Sequence, residues 1–289
     1  MRRIVGGALA LLVLLPAVRA LDEPKPPGTP AEQYKALVAE YTKGMDEYQK
    51  AARQAKTNEE RVKAFQLRPN PEKFAGRFMA LAEKHPKDPA AAEALVWVVS
   101  NINNRTKGGP REKALNLLKT DYLKSDKIAP LCAGLARAYD KDSQDMLRAI
   151  LDQNPDANVK AAACMALGTN MQMRASLAKR AKEDPNLAKQ IEAVLGKEAA
   201  DEIAKKGQDG LNKDAVKFFE RVVKDFPDAK DSKGKPLGKE AKNLIDGILH
   251  PVEVGKAAPE IDGEDTDGKA FKLSDYKGKV VLLDFWGNW

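Results

Sequence analysis

Histidine and cysteine, the residues that build many metal and nucleophilic sites, are scarce in this sequence, which has two of each in 289 residues. His85 and His250 are isolated and each precedes a proline, so they predict helix-end or solvent-exposed positions and no metal site. The sequence also has no Gly-rich phosphate loop after a strand, no Gly-x-Ser-x-Gly and no His-Glu-x-x-His. We therefore predict no nucleophile and base pair and no cofactor.

Aromatic residues are few, at 6% of the chain, and no basic cluster is interleaved with them. Lysine and arginine total 49 against 42 acidic residues, which gives a formal charge of +7. Three of the arginines lie in the first twenty residues, and without them the excess falls to +4. Because charges of both signs alternate along the helical patterns, the sequence predicts no nucleic-acid partner.

Apolar runs are also short, and none reaches the roughly 20 residues that a membrane-spanning helix needs. The run from Ile4 to Leu15 follows two arginines and precedes the small-residue site Val18-Arg19-Ala20. This pattern is typical of a secretory signal peptide, residues 1–20, followed here by a Pro-rich linker, residues 21–30. We expect export to the periplasm or cell envelope, with no stable membrane span after signal cleavage.

Apolar residues from Ala31 to Arg68 recur every three or four positions, which predicts one long amphipathic helix. The stripe consists of Tyr34, Leu37, Val38, Tyr41, Met45, Tyr48, Ala52 and Ala55. Its tyrosines are compatible with a stacking platform, but the periodicity favours packing against the next domain.

After Pro69, helical patterns alternate with proline or polar turns. The turns lie at His85–Pro89, Lys124–Asp126, Asn154–Asp156, Asp184–Pro185 and Phe226–Asp228. Their mean spacing of about 35 residues resembles the helix-turn-helix unit of tetratricopeptide arrays, and a HEAT-like stack stays open as an alternative. We predict a mainly α, tetratricopeptide-like solenoid over residues 31–249, in which each helix pair buries its apolar face against its neighbour. Its concave surface is either a partner-binding platform or part of a spacer.

The turns carry their own capping signals. Asp88, Asp156 and Asp184 stand directly before helical patterns, where a carboxylate can accept the free backbone N–H groups of a first turn. Pro89 and Pro185 occupy the first helical position, where a missing N–H costs nothing. These residues predict where three of the helices begin.

The two cysteines, Cys132 and Cys164, lie about one repeat apart among small apolar residues. Equivalent positions on packed neighbouring helices are about 8–10 Å apart, beyond the Cα separation that a disulfide accepts. We therefore predict two buried free cysteines. The alternative is a disulfide, which an exported location permits.

The end of the sequence changes from helical to strand-like patterns. Asp267-Gly268, between Ile261 and Phe271, predicts a tight hairpin turn that joins two strands. The acidic residues around this turn do not match the ligand spacing of a calcium loop. The apolar, β-branched run from Lys279 to Phe285 predicts a strand buried on both faces of a sheet.

These patterns resemble, in order, the opening of a thioredoxin-like redoxin domain. The motifs that carry the resemblance are Val254–Glu260, Asp267–Lys269, Phe271–Lys279, Val280–Phe285 and Trp286–Trp289. The resemblance implies that residues 250–289 are the incomplete N-terminal part of a thioredoxin-like α/β domain. In that family an aromatic-x-x-Trp segment leads into Cys-x-x-Cys at a helix start. Phe285, Trp286, Gly287, Asn288 and Trp289 correspond to this lead-in segment, and no catalytic residue of the family is among the 289.

The resemblance also implies a function. It indicates an exported thiol-disulfide oxidoreductase or peroxiredoxin-like antioxidant protein of redox homeostasis, with a protein or peptide client and a thiol reductant. The helical repeats would bind or position a partner. The alternative is a non-catalytic envelope scaffold that binds proteins through its repeats. Without the redox cysteine pair, the 289-residue chain is expected to be inactive.

We expect the chain to be truncated directly before the family's attacking cysteine, and the hypothesis is that a UGA codon encodes selenocysteine there. A selenol is more acidic than a thiol, and exchange rates depend on the anionic fraction. The alternatives are a partial gene and a nonsense mutation. Genomic DNA past codon 289 should show UGA, two codons, a Cys codon, an open redoxin frame and a selenocysteine insertion hairpin. A UGU or UGC codon, another stop codon or a closed frame would rule this out.

Overall fold

The computed structural model describes residues 28–103, 106–252, 255 and 257–284. The predicted signal peptide, residues 21–27 of the linker and the lead-in segment Phe285–Trp289 lie outside the described residues. In the part that is described, the chain is mainly α, as predicted, and contains a two-stranded sheet.

The helices follow one another along the chain with short connections. They are α1 Pro30–Gln54, α2 Asn58–Gln66, α3 Pro71–Lys84, α4 Pro89–Asn101, α5 Pro110–Asp121, α6 Ala129–Leu135, α7 Lys141–Gln153, α8 Ala157–Glu183, α9 Pro185–Leu195, α10 Lys197–Asp225 and α11 Leu237–Leu249. Strands β1 Asp262–Glu264 and β2 Ala270–Lys272 come after them, and short 3-10 helices occupy Asp126–Ile128 and Leu273–Tyr276.

The predicted capping residues begin three of these helices. The carboxylates of Asp88, Asp156 and Asp184 each accept a first-turn backbone N–H of α4, α8 and α9, at 2.8–2.9 Å. Pro89 and Pro185 stand at the first positions of α4 and α9. First-turn N–H groups have no acceptor within the helix, so these local bonds fix where each helix starts.

The prediction of one helix from Ala31 to Arg68 is wrong, because α1 ends at Gln54 and α2 begins at Asn58. Thr57 and Glu60 form a capping box: Thr57 Oγ1 accepts the Glu60 N–H at 3.2 Å, and the Glu60 carboxylate accepts the Thr57 N–H at 3.2 Å. This Thr-x-x-Glu signal was in the sequence. The apolar stripe ends at Ala55, and Val62 and Phe65 of α2 are 60% and 61% exposed.

Two of the three tyrosines of α1, Tyr34 and Tyr41, pack against the core of the helical region. Tyr41 meets Trp97 edge-to-face at a centroid distance of 5.0 Å, and Tyr34 meets Phe78 in the same way at 5.8 Å. Phe78 in turn stacks on Trp97 at 4.1 Å. The packing interpretation of the stripe is therefore confirmed, and these rings are not an open stacking platform.

Helices α8 and α10 form the most extensive helix pair among the described residues. Their backbones approach closely at Gly168, where an added Cβ would lie 2.5 Å from the ring of Phe219. Both residues are fully buried. Only a residue without a side chain allows this approach.

Helix α10 changes direction at Gly207, whose φ of 61° and ψ of −177° are not helical. This backbone region is essentially restricted to glycine. The break divides α10 into a short N-terminal part that packs near α9 and a longer part along α8. The lengths of the helices range from seven residues for α6 to 29 residues for α10. The tetratricopeptide-like repeat stays a prediction.

A buried arginine joins α8 to the turn between α6 and α7. Arg174, whose side chain is 1% exposed, donates to Asn170 Oδ1 at 3.0 Å and to the Tyr139 carbonyl at 2.8 Å. Asn170 donates to the carbonyls of Ala136 and Ala138 at 2.9 and 2.8 Å. Burial lowers the pKa of Arg174, while Glu202 acts in the opposite direction. The two side chains satisfy backbone carbonyls of the turn that follows α6.

Gly168→Ala should destabilise the fold by about 1–3 kcal/mol, because the new methyl group overlaps the buried ring of Phe219. The matched control is Gly76→Ala on α3, where an added Cβ meets nothing within 4 Å. That variant should be about 0.5–1 kcal/mol more stable than the parent, because alanine has the higher helix propensity. Urea unfolding followed by circular dichroism measures both. Equal effects of the two substitutions would contradict the close approach.

Candidate functional site

The two cysteines are both free and buried, as predicted, with Cys132 in α6 and Cys164 in α8. Burial raises the pKa of the Cys132 thiol to about 12 and that of Cys164 to about 11. The thiolate is the form that attacks a disulfide, and it is scarce in both residues at neutral pH. Neither cysteine therefore has the exposure or the ionisation of a redox-active residue.

The two histidines lie at helix ends, also as predicted. The backbone N–H of His85 bonds the Leu81 carbonyl at the end of α3, at 3.1 Å, and that of His250 bonds the Asp246 carbonyl at the end of α11, at 2.7 Å. They are therefore the C-cap residues of two different helices. In the part of the chain that the structure covers, no three His, Cys, Asp or Glu side chains form a group that could hold a metal ion.

The predicted hairpin is confirmed. Strands β1 and β2 pair antiparallel, with Gly263 opposite Phe271. The carboxylate of Asp265 accepts the N–H groups of Asp267 and Lys269 at 3.0 and 2.9 Å, and Gly268 has a φ of 77°. The Asp265 carboxylate thus closes the turn by accepting backbone N–H groups of the same loop.

The residues on either side of the hairpin are joined by further local bonds. The Leu273 N–H donates to the Ile261 carbonyl at 2.9 Å, and the Ser274 N–H donates to the Glu260 carboxylate at 2.9 Å. Hydrogen bonds from the Ser274 side chain and backbone hold the pKa of Glu260 below its usual value. This segment is thus a small self-bonded unit that leads into the apolar run.

The predicted strand buried on both faces is not formed by the described part of the run, residues 279–284. Val280 is fully exposed and Leu282 is 92% exposed, and neither belongs to a strand. The ladder of β1 and β2 is three residues long, and the described residues offer no further strand to pair with the run. A buried strand needs hydrogen-bonding neighbours at both edges.

A basic cleft lies between α7 and α10, with a volume of about 370 Å³. It is lined by Arg148, Met171, Lys206, Asp214, Lys217, Phe218 and Arg221. Sequence reasoning missed this cleft because its residues come from three helices, α7, α8 and α10, that span more than seventy positions of the chain. The spacing of Lys217 and Arg221, one helical turn apart, could have indicated part of it.

A larger groove of about 1000 Å³ lies between the C-terminal end of α8, α9 and the first part of α10. Its lining combines the alanines 178, 181, 188, 200 and 204 and the buried Ile191 and Ile203 with four lysines, 179, 182, 189 and 206, and four acidic residues, Glu183, Glu192, Asp201 and Asp209. Lys206 lines both the groove and the basic cleft, so the two cavities adjoin at this residue. The cleft and the groove together are called the α10 track below.

Comparison with known proteins gives a local match. Thiol-disulfide oxidoreductase ResA of Bacillus thuringiensis subsp. konkukian is 50% identical over 38 residues, which are 13% of this chain and 22% of that protein. ResA of Bacillus subtilis is 43% identical over 53 residues, 18% of this chain and 30% of that protein. ResA of Geobacillus kaustophilus is 50% identical over 38 residues, with the same coverage as the first. Part of this chain is similar to thiol-disulfide oxidoreductases.

The match is confined to a minor part of either protein. The chain spans about a quarter of the length of these curated relatives. No family model matches the chain, and no solved structure matches it. Among the helices that the structure describes, none is both long enough and apolar enough to cross a bilayer.

Native protein should react with the thiol reagent 5,5′-dithiobis(2-nitrobenzoate) far more slowly than unfolded protein, because burial keeps Cys132 and Cys164 protonated. Both pKa values are raised in the folded state, so the thiols ionise more readily in the unfolded chain. The free energy of unfolding should therefore decrease as pH rises above about 9. The rate of thionitrobenzoate release at pH 8, measured with and without 6 M guanidinium, gives the difference. Rapid release of thionitrobenzoate by the native chain would contradict the assignment of either cysteine as buried.

Proposed function

We propose that residues 250–289 are the opening of a thioredoxin-like domain and that the parent protein is an exported thiol-disulfide oxidoreductase. The observation that carries this proposal is the 43–50% identity to thiol-disulfide oxidoreductases. The 38-residue matches have the same length as the segment from Val252 to Trp289, in which the redoxin-like motifs lie. The self-bonded hairpin and its exposed apolar continuation fit the start of a larger sheet. Peroxide reduction is the related alternative within the same class of redoxin.

The proposed chemistry is disulfide exchange. A cysteine at a helix N-terminus is kept as thiolate by the helix dipole and attacks one sulfur of a client disulfide, releasing the other sulfur as a thiol. A second cysteine then attacks the mixed disulfide, so the client is reduced and the pair is oxidised. A thiol reductant restores the pair. In this proposal Phe285–Trp289 precede the first cysteine, and Cys132 and Cys164 take no part.

We further propose that the helical region, residues 31–249, binds or positions a partner protein outside the cytoplasm. The signal-peptide pattern of residues 1–20 supports export. The cleft and the groove on α10 support partner binding, because both are concave and both are lined by Lys206. A non-catalytic scaffold would use the same surface without redox chemistry.

A chimaera tests the redox proposal. Residues 1–289 would be joined to the part of Bacillus subtilis ResA that begins at the first cysteine of the family's Cys-x-x-Cys motif. If residues 250–289 are a redoxin opening, the chimaera should reduce insulin disulfides in the presence of dithiothreitol well above the background rate. The 289-residue chain alone should not exceed that background.

Two controls complete the test. Replacing the first cysteine of the chimaera with serine should abolish activity, because the attacking thiolate is lost. Replacing Leu282 with Asp should also reduce activity, because a charge in a central strand destabilises the sheet. A well-folded chimaera without activity, measured beside active ResA, would contradict the proposal and favour the scaffold alternative.

A further inference from the structure

Four cationic side chains from two helices converge on the basic cleft. Arg148 comes from α7, and Lys206, Lys217 and Arg221 come from α10. All four are exposed at the surface, with Lys217 at 73% and Arg221 at 47%. Cations grouped in a concave site focus the electrostatic field more strongly than the same charges spread over a convex surface.

The local carboxylates are too few to neutralise these cations. Asp214 is shared between Lys206 at 3.1 Å and Lys217 at 3.2 Å. Glu202 is likewise shared between Lys206 at 3.0 Å and the buried Arg174 at 3.4 Å. Asp225 pairs with Arg221 at 3.4 Å. The four cations that line the cleft thus have three carboxylate partners, and one of these, Glu202, is shared with Arg174. The cleft therefore has an excess of positive charge.

Arg148 supplies much of that excess. No carboxylate of the described residues lies within ion-pair distance of it, and its guanidinium sits 5.9 Å from the centroid of the Phe218 ring. It also lies close enough to Arg174 to lower the pKa of that buried group by repulsion. A guanidinium held on an aromatic ring beside another cation presents its donors for a planar, bidentate partner such as a carboxylate.

The shape of the site indicates a chain rather than a small anion. The groove of about 1000 Å³, which is lined by alanines, isoleucines and charged residues, shares the lining residue Lys206 with the cleft. A free carboxylate would occupy a small part of the α10 track. A peptide could place acidic side chains over the cleft and apolar side chains in the groove.

We propose that the basic cleft of Arg148, Lys206, Lys217 and Arg221 binds an acidic segment of a partner protein, with adjacent apolar residues of that segment in the groove of α8, α9 and α10. This rests on the proposed partner-binding role of the helical region and names its surface and the chemistry it recognises. Arginine and lysine provide the charge, and Phe218 provides an apolar face beside it.

The experiment uses the 289-residue chain and a fluorescein-labelled octapeptide of alternating glutamate and leucine. Fluorescence anisotropy at low salt should show saturable binding that weakens as NaCl is added, because exposed charges are screened. The double variant Arg148→Ala/Lys217→Ala should weaken binding by about tenfold or more, since both cations contact the acidic side chains. The single variant Arg148→Gln should weaken it less.

The matched control removes the same charge elsewhere. Lys43→Ala/Arg68→Ala takes two exposed cations from α1 and the end of α2 and should leave affinity within about twofold. A glutamine-leucine octapeptide should not bind, and millimolar free glutamate should not displace the labelled peptide. Thermal unfolding checks that each variant is folded.

Several results would overturn the inference: no binding of the glutamate-leucine peptide, equal losses in both double variants, equal binding of the glutamine peptide, or displacement by free glutamate. Tighter binding of a short single-stranded DNA than of the peptide would also overturn it, because the site would then recognise phosphates. The assay contains no redox step. A negative result in the peptide assay would therefore contradict only the acidic-segment proposal. An inactive chimaera would contradict only the redox proposal.

Discussion

The helical region depends on the buried guanidinium of Arg174. A buried charge is tolerated only when it is paired and hydrogen-bonded, and removing a partner of such a group costs about 3–5 kcal/mol. Arg174 meets this condition through Asn170, the Tyr139 carbonyl and Glu202, which belong to α8, to the turn after α6 and to α10. The hydrogen bonds and the ion pair of this one side chain thus connect three parts of the chain.

The surface of α10 follows from that arrangement. Glu202 is held towards Arg174, and the same carboxylate holds Lys206, which lines both the cleft and the groove. The Gly207 break directs the first part of α10 towards α9, and the close approach at Gly168 sets the second part against α8. The Gly207 break, the Gly168 contact and the half-buried ion pair of Arg174 and Glu202 therefore help to shape the cleft and the groove.

The C-terminal segment obeys different rules. The hydrogen bonds that close its hairpin all lie within residues 260–275. The apolar run that follows cannot be stabilised by short-range bonds, because a strand needs neighbouring strands to which it can hydrogen-bond. The described residues supply none, and the run is exposed. This contrast fits the proposal that the segment opens a larger redoxin sheet.

Local signals in the sequence determined the capping residues Asp88, Asp156 and Asp184, the first-turn prolines and the hairpin turn, because each depends on contacts within a few residues. Apolar periodicity correctly predicted that Tyr34 and Tyr41 pack inward, but it extended α1 through the capping box at Thr57. The burial of Cys132 and Cys164 was predicted from their apolar neighbours, and tertiary contacts decided how far it raises their pKa values. Tertiary structure alone decided that Val280 and Leu282 have no strand beside them among the described residues, and that Arg148 and Lys217 line one cleft. These features depend on which helices become neighbours, and neighbours are set by buried polar groups and close approaches that no short window of sequence contains.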